Sequence, residues 1–171
     1  IPPTEKYFLF SLDSIISTKM ISIFWIMRNS GSGKESKKTN YDNYSKDEII
    51  NKAIQLHLQG NVLEATKYYQ FCIDRGFEDH RILSNYGAIL LNIGKHKEAE
   101  FFYRRAIELN PKFEIAHSNL GSILRDLGKL EEGEFHTRKA IELNPFNAND
   151  HSNLGTILRN QGKLEEAEVS Y

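Results

Sequence analysis

A block of eighteen residues recurs in this chain at a spacing of 34. His117 to Glu134 reads HSNLGSILRDLGKLEEGE and His151 to Glu168 reads HSNLGTILRNQGKLEEAE, with fourteen of the eighteen positions identical. A weaker copy starts at Leu83 (LSNYGAILLNIGKHKEAE) and a more divergent one at Ile49 (IINKAIQLHLQGNVLEAT). No gap separates them, so the frames are 46–79, 80–113, 114–147 and a shortened 148–171. Periodicity of this length constrains the fold strongly. One unit cannot bury its own apolar face, so neighbours must stack into a quasi-one-dimensional array.

Each unit reads as two helices. In the third, Ile115, Leu120, Ile123, Leu124 and Leu127 recur at helical spacing, and Gly128 breaks the run. Leu130, Phe135, Ala140, Ile141 and Leu143 follow before Asn144-Pro145 closes the unit. Glycine supplies a tight turn at low cost and proline stops a helix. The pattern predicts helices near 47–59, 63–75, 81–93, 97–109, 114–127, 131–143 and 148–161, and a partial one from about 164. Ser45-Lys-Asp-Glu48 has the form of a capping box that opens the first.

The small and large residues take fixed places. Ala53, Gly87, Gly121 and Gly155 share one position in the first helix, followed by Leu56, Leu90, Leu124 and Leu158. Ala65, Ala99 and Ala167 share one in the second, followed by Tyr69, Tyr103 and Tyr171, then Cys72, Ala106 and Ala140. With the 34-residue period, this pattern resembles the tetratricopeptide repeat over about three quarters of the chain. The resemblance implies an all-α, right-handed α-solenoid of antiparallel helical hairpins. Small residues let paired helices approach and large ones fill the grooves beside them. The third repeat departs with Gly133 for Ala and Thr137 for the aromatic, so its second helix is expected to be the softest. His117 and His151 stand where the family has a bulky apolar residue. The first repeat has Lys52 in place of Leu and ends Arg75-Gly76-Phe77 without proline.

Composition bounds the function. A net charge of −1 from 22 basic and 23 acidic residues gives no global footprint for nucleic acid. The lone Cys72 forms no internal disulfide, fits a reducing, cytoplasmic setting, and occupies a small packing position that suits an inert thiol. His117 and His151 lie one repeat apart, but nothing joins them at ligand spacing, so a role at a helix contact is expected. His57, His80, His96 and His136 show no constellation. Gly31-Ser-Gly-Lys34 fails as a phosphate loop, because Arg28 stands at the first glycine and Glu35 at the Ser/Thr. The pairs Glu131-Glu132 and Glu165-Glu166 complement helix N-termini. No nucleophile–base arrangement appears, so no catalysis, cofactor or metal is expected.

Residues 1–45 differ. Residues 28–45 are polar and read as a flexible lead-in. Residues 7–27 are apolar but carry Asp13 and Lys19, and their longest uncharged run, Met20 to Met27, is too short to span a bilayer. Three readings stand open for 7–27: a membrane anchor, a helix docked on the array, or sequence upstream of a start at Met27. Membrane contact is not expected on balance, and 1–45 is expected to be dispensable for the array. A start at Ile1 and a stop at Tyr171 in mid-repeat suggest a piece of a longer product.

One polar pattern remains. Asn51, Asn85, Asn119 and Asn153 share one position in the first helix of every repeat. The resemblance implies that this helix lines a concave groove. Arrays of the O-linked N-acetylglucosamine transferase type are similar, with an asparagine ladder that grips a peptide backbone. An amide both donates and accepts, so it can pair with any peptide group. The rival role is a bond to a neighbouring helix. Ser84, Ser118, Ser152, Ser122, Thr156, Asn92 and Asn160 are further groove candidates, as are Arg125 and Arg159, which would point into the groove side by side. The carboxylate-clamp pattern of chaperone-binding arrays is not met, because Asn119 holds its third-repeat arginine position. The expected function is a protein- or peptide-binding scaffold, with an acidic or phosphorylated segment favoured. The alternative is the substrate-recruiting arm of a larger glycosyl-, sulfo- or methyltransferase.

Overall fold

The computed structural model describes residues 41 and 43–169, and the readings placed on residues 1–40 and on Tyr171 lie outside them. The first helix begins where the sequence supplies its cap. Ser45 Oγ accepts the Glu48 backbone N–H at 3.3 Å, and the Glu48 carboxylate accepts the Ser45 N–H at 2.7 Å. Two otherwise orphaned donors are thereby satisfied. Eight helices lie among the described residues: α1 Lys46–Leu58, α2 Val62–Asp74, α3 His80–Asn92, α4 His96–Leu109, α5 Glu114–Asp126, α6 Leu130–Leu143, α7 Ala148–Asn160 and α8 Leu164–Val169. Every boundary with a sequence expectation falls within one residue of it, and no strand occurs among the described residues.

The turns explain this accuracy. Gly60, Gly94, Gly128 and Gly162 adopt φ of 77°, 77°, 73° and 79°, the left-handed region in which a side chain is strained. Asn110 and Asn144 are extended at φ −141°, as a residue before proline must be. Between these stops, α1–α2, α3–α4 and α5–α6 form hairpins, and α7–α8 begins a fourth.

Within a hairpin the small residues meet the large ones. A Cβ on Gly87 would come within 3.3 Å of the Tyr103 ring, so the absence of a side chain there admits the aromatic. Tyr69, Tyr103, Ala99 and Ala106 are fully buried. One apolar cluster runs from Leu90, Ala99 and Tyr103 into Ala116, Leu120 and Leu124, so the core is continuous from the second repeat to the third. Successive first helices, α1, α3, α5 and α7, touch one another, whereas successive second helices stand apart among the described residues. The first helices therefore lie on the shorter, inner side of the curve and the second helices on the outer side.

The third repeat packs differently, for a reason its sequence carries. Gly121 faces Gly133 and Thr137: a Cβ on Gly121 would sit 2.3 Å from Thr137 Oγ1, and one on Gly133 would sit 3.3 Å from the Arg125 backbone nitrogen. The glycine expected to soften α6 thus lets α5 and α6 close to backbone contact. The histidines in apolar positions also find a use. His117 Nε2–H donates to the Pro111 carbonyl at 3.1 Å, and His151 Nε2–H to the Pro145 carbonyl at 2.8 Å. Each ties a first helix to the turn that precedes it.

Candidate functional site

The inner face is built from the exposed stripes of α1, α3, α5 and α7, and its asparagines fall into two groups. Asn85 Nδ2 donates to the Tyr69 hydroxyl at 3.2 Å, and Asn153 Nδ2 donates to Thr137 Oγ1 at 3.1 Å. Both partners sit sixteen residues back, at the aromatic position of the preceding repeat. Asn153 sinks deeper, to 7% exposure, because threonine there leaves room that tyrosine fills elsewhere. The other two are uncommitted. Asn51 is exposed and Asn119 half-buried, and neither bonds a side chain among the described residues. At the Asn119 junction the Tyr103 hydroxyl is likewise buried without a partner among the described residues, and burial pushes it well above the usual phenol range.

The arginines divide in the same way. Arg125 Nη1 donates to Asn153 Oδ1 at 2.5 Å, and its other nitrogens bond Asp126 Oδ1 at 2.8 and 2.9 Å and Ser122 Oγ at 3.5 Å. It clamps one repeat to the next. Arg159 is exposed and has no such partner among the described residues. Ser118 Oγ donates to Asp150 Oδ1, bridging α5 to α7, and Ser84 is buried. Thr156 Oγ1 bonds the Ser152 carbonyl of its own helix at 3.0 Å. Ser152, Asn92 and Asn160 are exposed. The structure thus brings together Asn153, Arg125 and Ser122, and leaves Asn51, Asn119, Ser152 and Arg159 open.

Two of the histidines without a constellation in the sequence acquire one. His57 Nδ1 and the Tyr69 hydroxyl share a hydrogen bond at 3.1 Å. His136 lies 3.0 Å from His117, Nδ1 to Nδ1. His117 Nε2 donates to the Pro111 carbonyl, so in the neutral state that burial favours its Nδ1 accepts and His136 Nδ1–H donates. Burial, with His117 and Arg104 nearby, pushes His136 down to about 4, and burial lowers His117 as well. Cys72 is fully buried, and burial pushes its thiol up to about 11, away from reactivity. Among the described residues no group of three His, Cys, Asp or Glu could hold a metal, and no helix is long and apolar enough to cross a membrane.

The outer face carries an arrangement that the sequence reading missed. Glu100 on α4 accepts Arg104 at 2.8 Å and Lys129 at 2.9 and 3.0 Å, and Arg104 reaches Glu132 on α6 at 2.7 Å. One repeat later, Glu134 accepts Arg138 at 2.8 Å and Lys163 at 2.8 Å, and Arg138 reaches Glu166 on α8 at 3.2 Å. The second glutamate of each Glu-Glu pair is therefore a strut between repeats. Burial alone would raise Glu134, but bonds from Lys163, Arg138 and Gln161 outweigh it and hold the carboxyl down to about 2. Applying the 34-residue offset to charged positions, and not only to apolar ones and asparagine, would have exposed this quartet.

Models of the tetratricopeptide repeat match residues 80–113, 102–135 and 136–169, together more than half of the chain. The chain belongs to the tetratricopeptide-repeat family. The match to 80–113 coincides with the second frame read from the sequence, and the other two keep the period but start inside α4 and α6. Among solved structures, MamA of AMB-1 is similar at 20% identity and a TM-score of 0.65, over 77% of this chain and 72% of that one. The first tetratricopeptide unit of Spaghetti (RPAP3), solved bound to the HSP90 peptide SRMEEVD, is similar at 24% identity and a TM-score of 0.61. That likeness covers 68% of this chain and 93% of the RPAP3 unit. These likenesses show a shared all-α solenoid of helical hairpins. Comparison with curated proteins found no match.

Proposed function

We infer that this array is a non-catalytic scaffold whose inner face receives an extended protein segment. The observation that carries the reading is the half-buried Asn119 amide. It stands in the middle of the inner face without a side-chain partner among the described residues, between two ladder amides that are already satisfied. A polar group held in that state gains most from an incoming peptide unit. Arg159 is the open cation on the same face and favours an acidic or phosphorylated segment, which it can hold by two parallel hydrogen bonds. The RPAP3 unit, bound to a peptide with three carboxylate side chains, supports that class of ligand. A chaperone C-terminus is not the segment proposed, since Asn119 replaces the arginine of that clamp.

The test is an array of acidic, phosphorylated, neutral and basic decapeptides probed with the full chain. Acidic or phosphorylated peptides are expected to be retained. Asn119→Ala and Arg159→Ala should each weaken binding by roughly threefold to tenfold with an unchanged melt, the range of one lost hydrogen bond. Retention that ignores both substitutions would remove the reading.

A further inference from the structure

The struts on the outer side have a geometric consequence. In a curved stack the inner helices touch, so the spacing of the outer helices decides how sharply the stack bends. Here α4, α6 and α8 make no backbone contact among the described residues and are joined by the two charged quartets. The anchoring carboxylates are sheltered, Glu100 at 11% and Glu134 at 16% side-chain exposure. Their cationic partners Lys129 and Lys163 are 49% and 43% exposed, within reach of dissolved ions. At the first junction two of the four corresponding positions, Thr66 and Gln70, carry no charge, so Lys95 and Glu98 meet no such counterparts and no quartet forms; Gln70 Oε1 accepts the Tyr86 hydroxyl at 2.8 Å instead, and the exposed Arg105–Glu78 pair lies nearby at 3.4 Å.

We propose that the outer ionic ladder is a salt-sensitive curvature device, which fixes the spacing of α4, α6 and α8, and with it the width of the inner face, and relaxes as electrolyte screens its struts. Screening weakens partly exposed pairs over about a Debye length, roughly 10 Å at 0.1 M salt and 3 Å at 1 M. The first junction, which lacks this quartet, holds its geometry throughout. The device stands on the ion pairs alone and does not depend on what occupies the inner face.

Distances between spin labels test it in the full chain, where buried Cys72 stays unlabelled. Labels at Lys97→Cys and Glu165→Cys span both quartet junctions, and labels at Leu63→Cys and Lys97→Cys span the first junction. The expected result is a narrow distribution across the quartet junctions that shifts and broadens as salt rises, and no response across the first. Glu100→Gln, Glu132→Gln, Glu134→Gln and Glu166→Gln together remove the acid of every strut and should show the shifted distribution already at low salt and respond no further. Arg104→Gln, Lys129→Gln, Arg138→Gln and Lys163→Gln together should do the same from the other side, and this set decides the matter if the glutamate variant loses helix. A distribution independent of salt, variants that coincide with the unaltered chain at low salt, or an equal response at the first junction would each overturn the proposal.

Discussion

Gly121 and Thr137 set the register of everything around them. Replacing Gly121 by alanine gains about 1 kcal/mol of helix propensity. The new Cβ would meet Thr137 Oγ1 at 2.3 Å and the Thr137 backbone nitrogen at 3.1 Å, and the backbone cannot yield without moving α6. Overpacking of this kind costs roughly 1–3 kcal/mol, so a net loss is expected in urea denaturation, where propensity alone would give a gain. Asn153 is tied to the same spot through Thr137 Oγ1 and Arg125. Asn153→Ala should cost about 1–3 kcal/mol by stranding buried partners. Asn51→Ala, at an exposed position, should stay within about 0.5 kcal/mol. Equal effects at the two sites would contradict this division of the ladder. The recurrence of asparagine was legible in the sequence. Its division was not, because Asn85 and Asn119 both follow a tyrosine sixteen residues earlier and only Asn85 bonds it, a distinction that exists only once the repeats are stacked.

Between α5 and α6 the neutral His117–His136 pair makes the hairpin sensitive to acid. An unfolded histidine titrates near 6.5, whereas His136 in the fold is pushed down to about 4. Between these values the unfolded chain binds protons that the folded chain refuses. Stability is therefore complete above about pH 6.5 and falls as pH drops toward 4, by about 3 kcal/mol when fully developed. The second repeat places Leu83 and Phe102 at the equivalent positions, so His136→Phe is a substitution the hairpin can hold. The variant should lose less of its urea midpoint between about pH 7 and about pH 5 than the unaltered chain does, the remainder coming from the lowered His117. Parallel losses would assign the acid sensitivity elsewhere. Below about 4.5 the stability contributed by Glu134 also declines, because the unfolded carboxyl takes up protons that the folded one, held at about 2, refuses. Helix boundaries were readable because glycine turns and Asn-Pro stops are local signals. The histidine pair joins helices nineteen residues apart at a non-repeating offset, so no period could reveal it.

Across the whole array, stability is a sum of units and junctions. The first junction lacks the charged struts, while the α5–α6 hairpin is closed to backbone contact. Native-state hydrogen exchange should therefore find the slowest amides in α5 and α6, and α1 should open at lower free energy. Slowest exchange in α1 and α2 would show that neither the struts nor the close approach governs the hierarchy. The stack as a whole was fully legible, because period, small residues and turns all point to one arrangement. The outer ladder was not read, since mixed charge on helices ordinarily means solvated faces.

The ties between repeats have a consequence for how such a chain can grow. The histidine bonded to the proline carbonyl, the arginine bonded to the next asparagine and the charged quartet all join one repeat to its neighbour. A duplicate of residues 114–147 spliced in after position 147 would bring its own half of each tie and meet the other half on both sides. Only the Ser118–Asp150 bridge would lack its carboxylate at the new seam, where the copy of Ala116 would stand. Such a chain should elongate without a fault and melt no lower than its parent. The repeat is a unit of inheritance as much as of structure: a single unequal crossover yields a longer protein that is already folded.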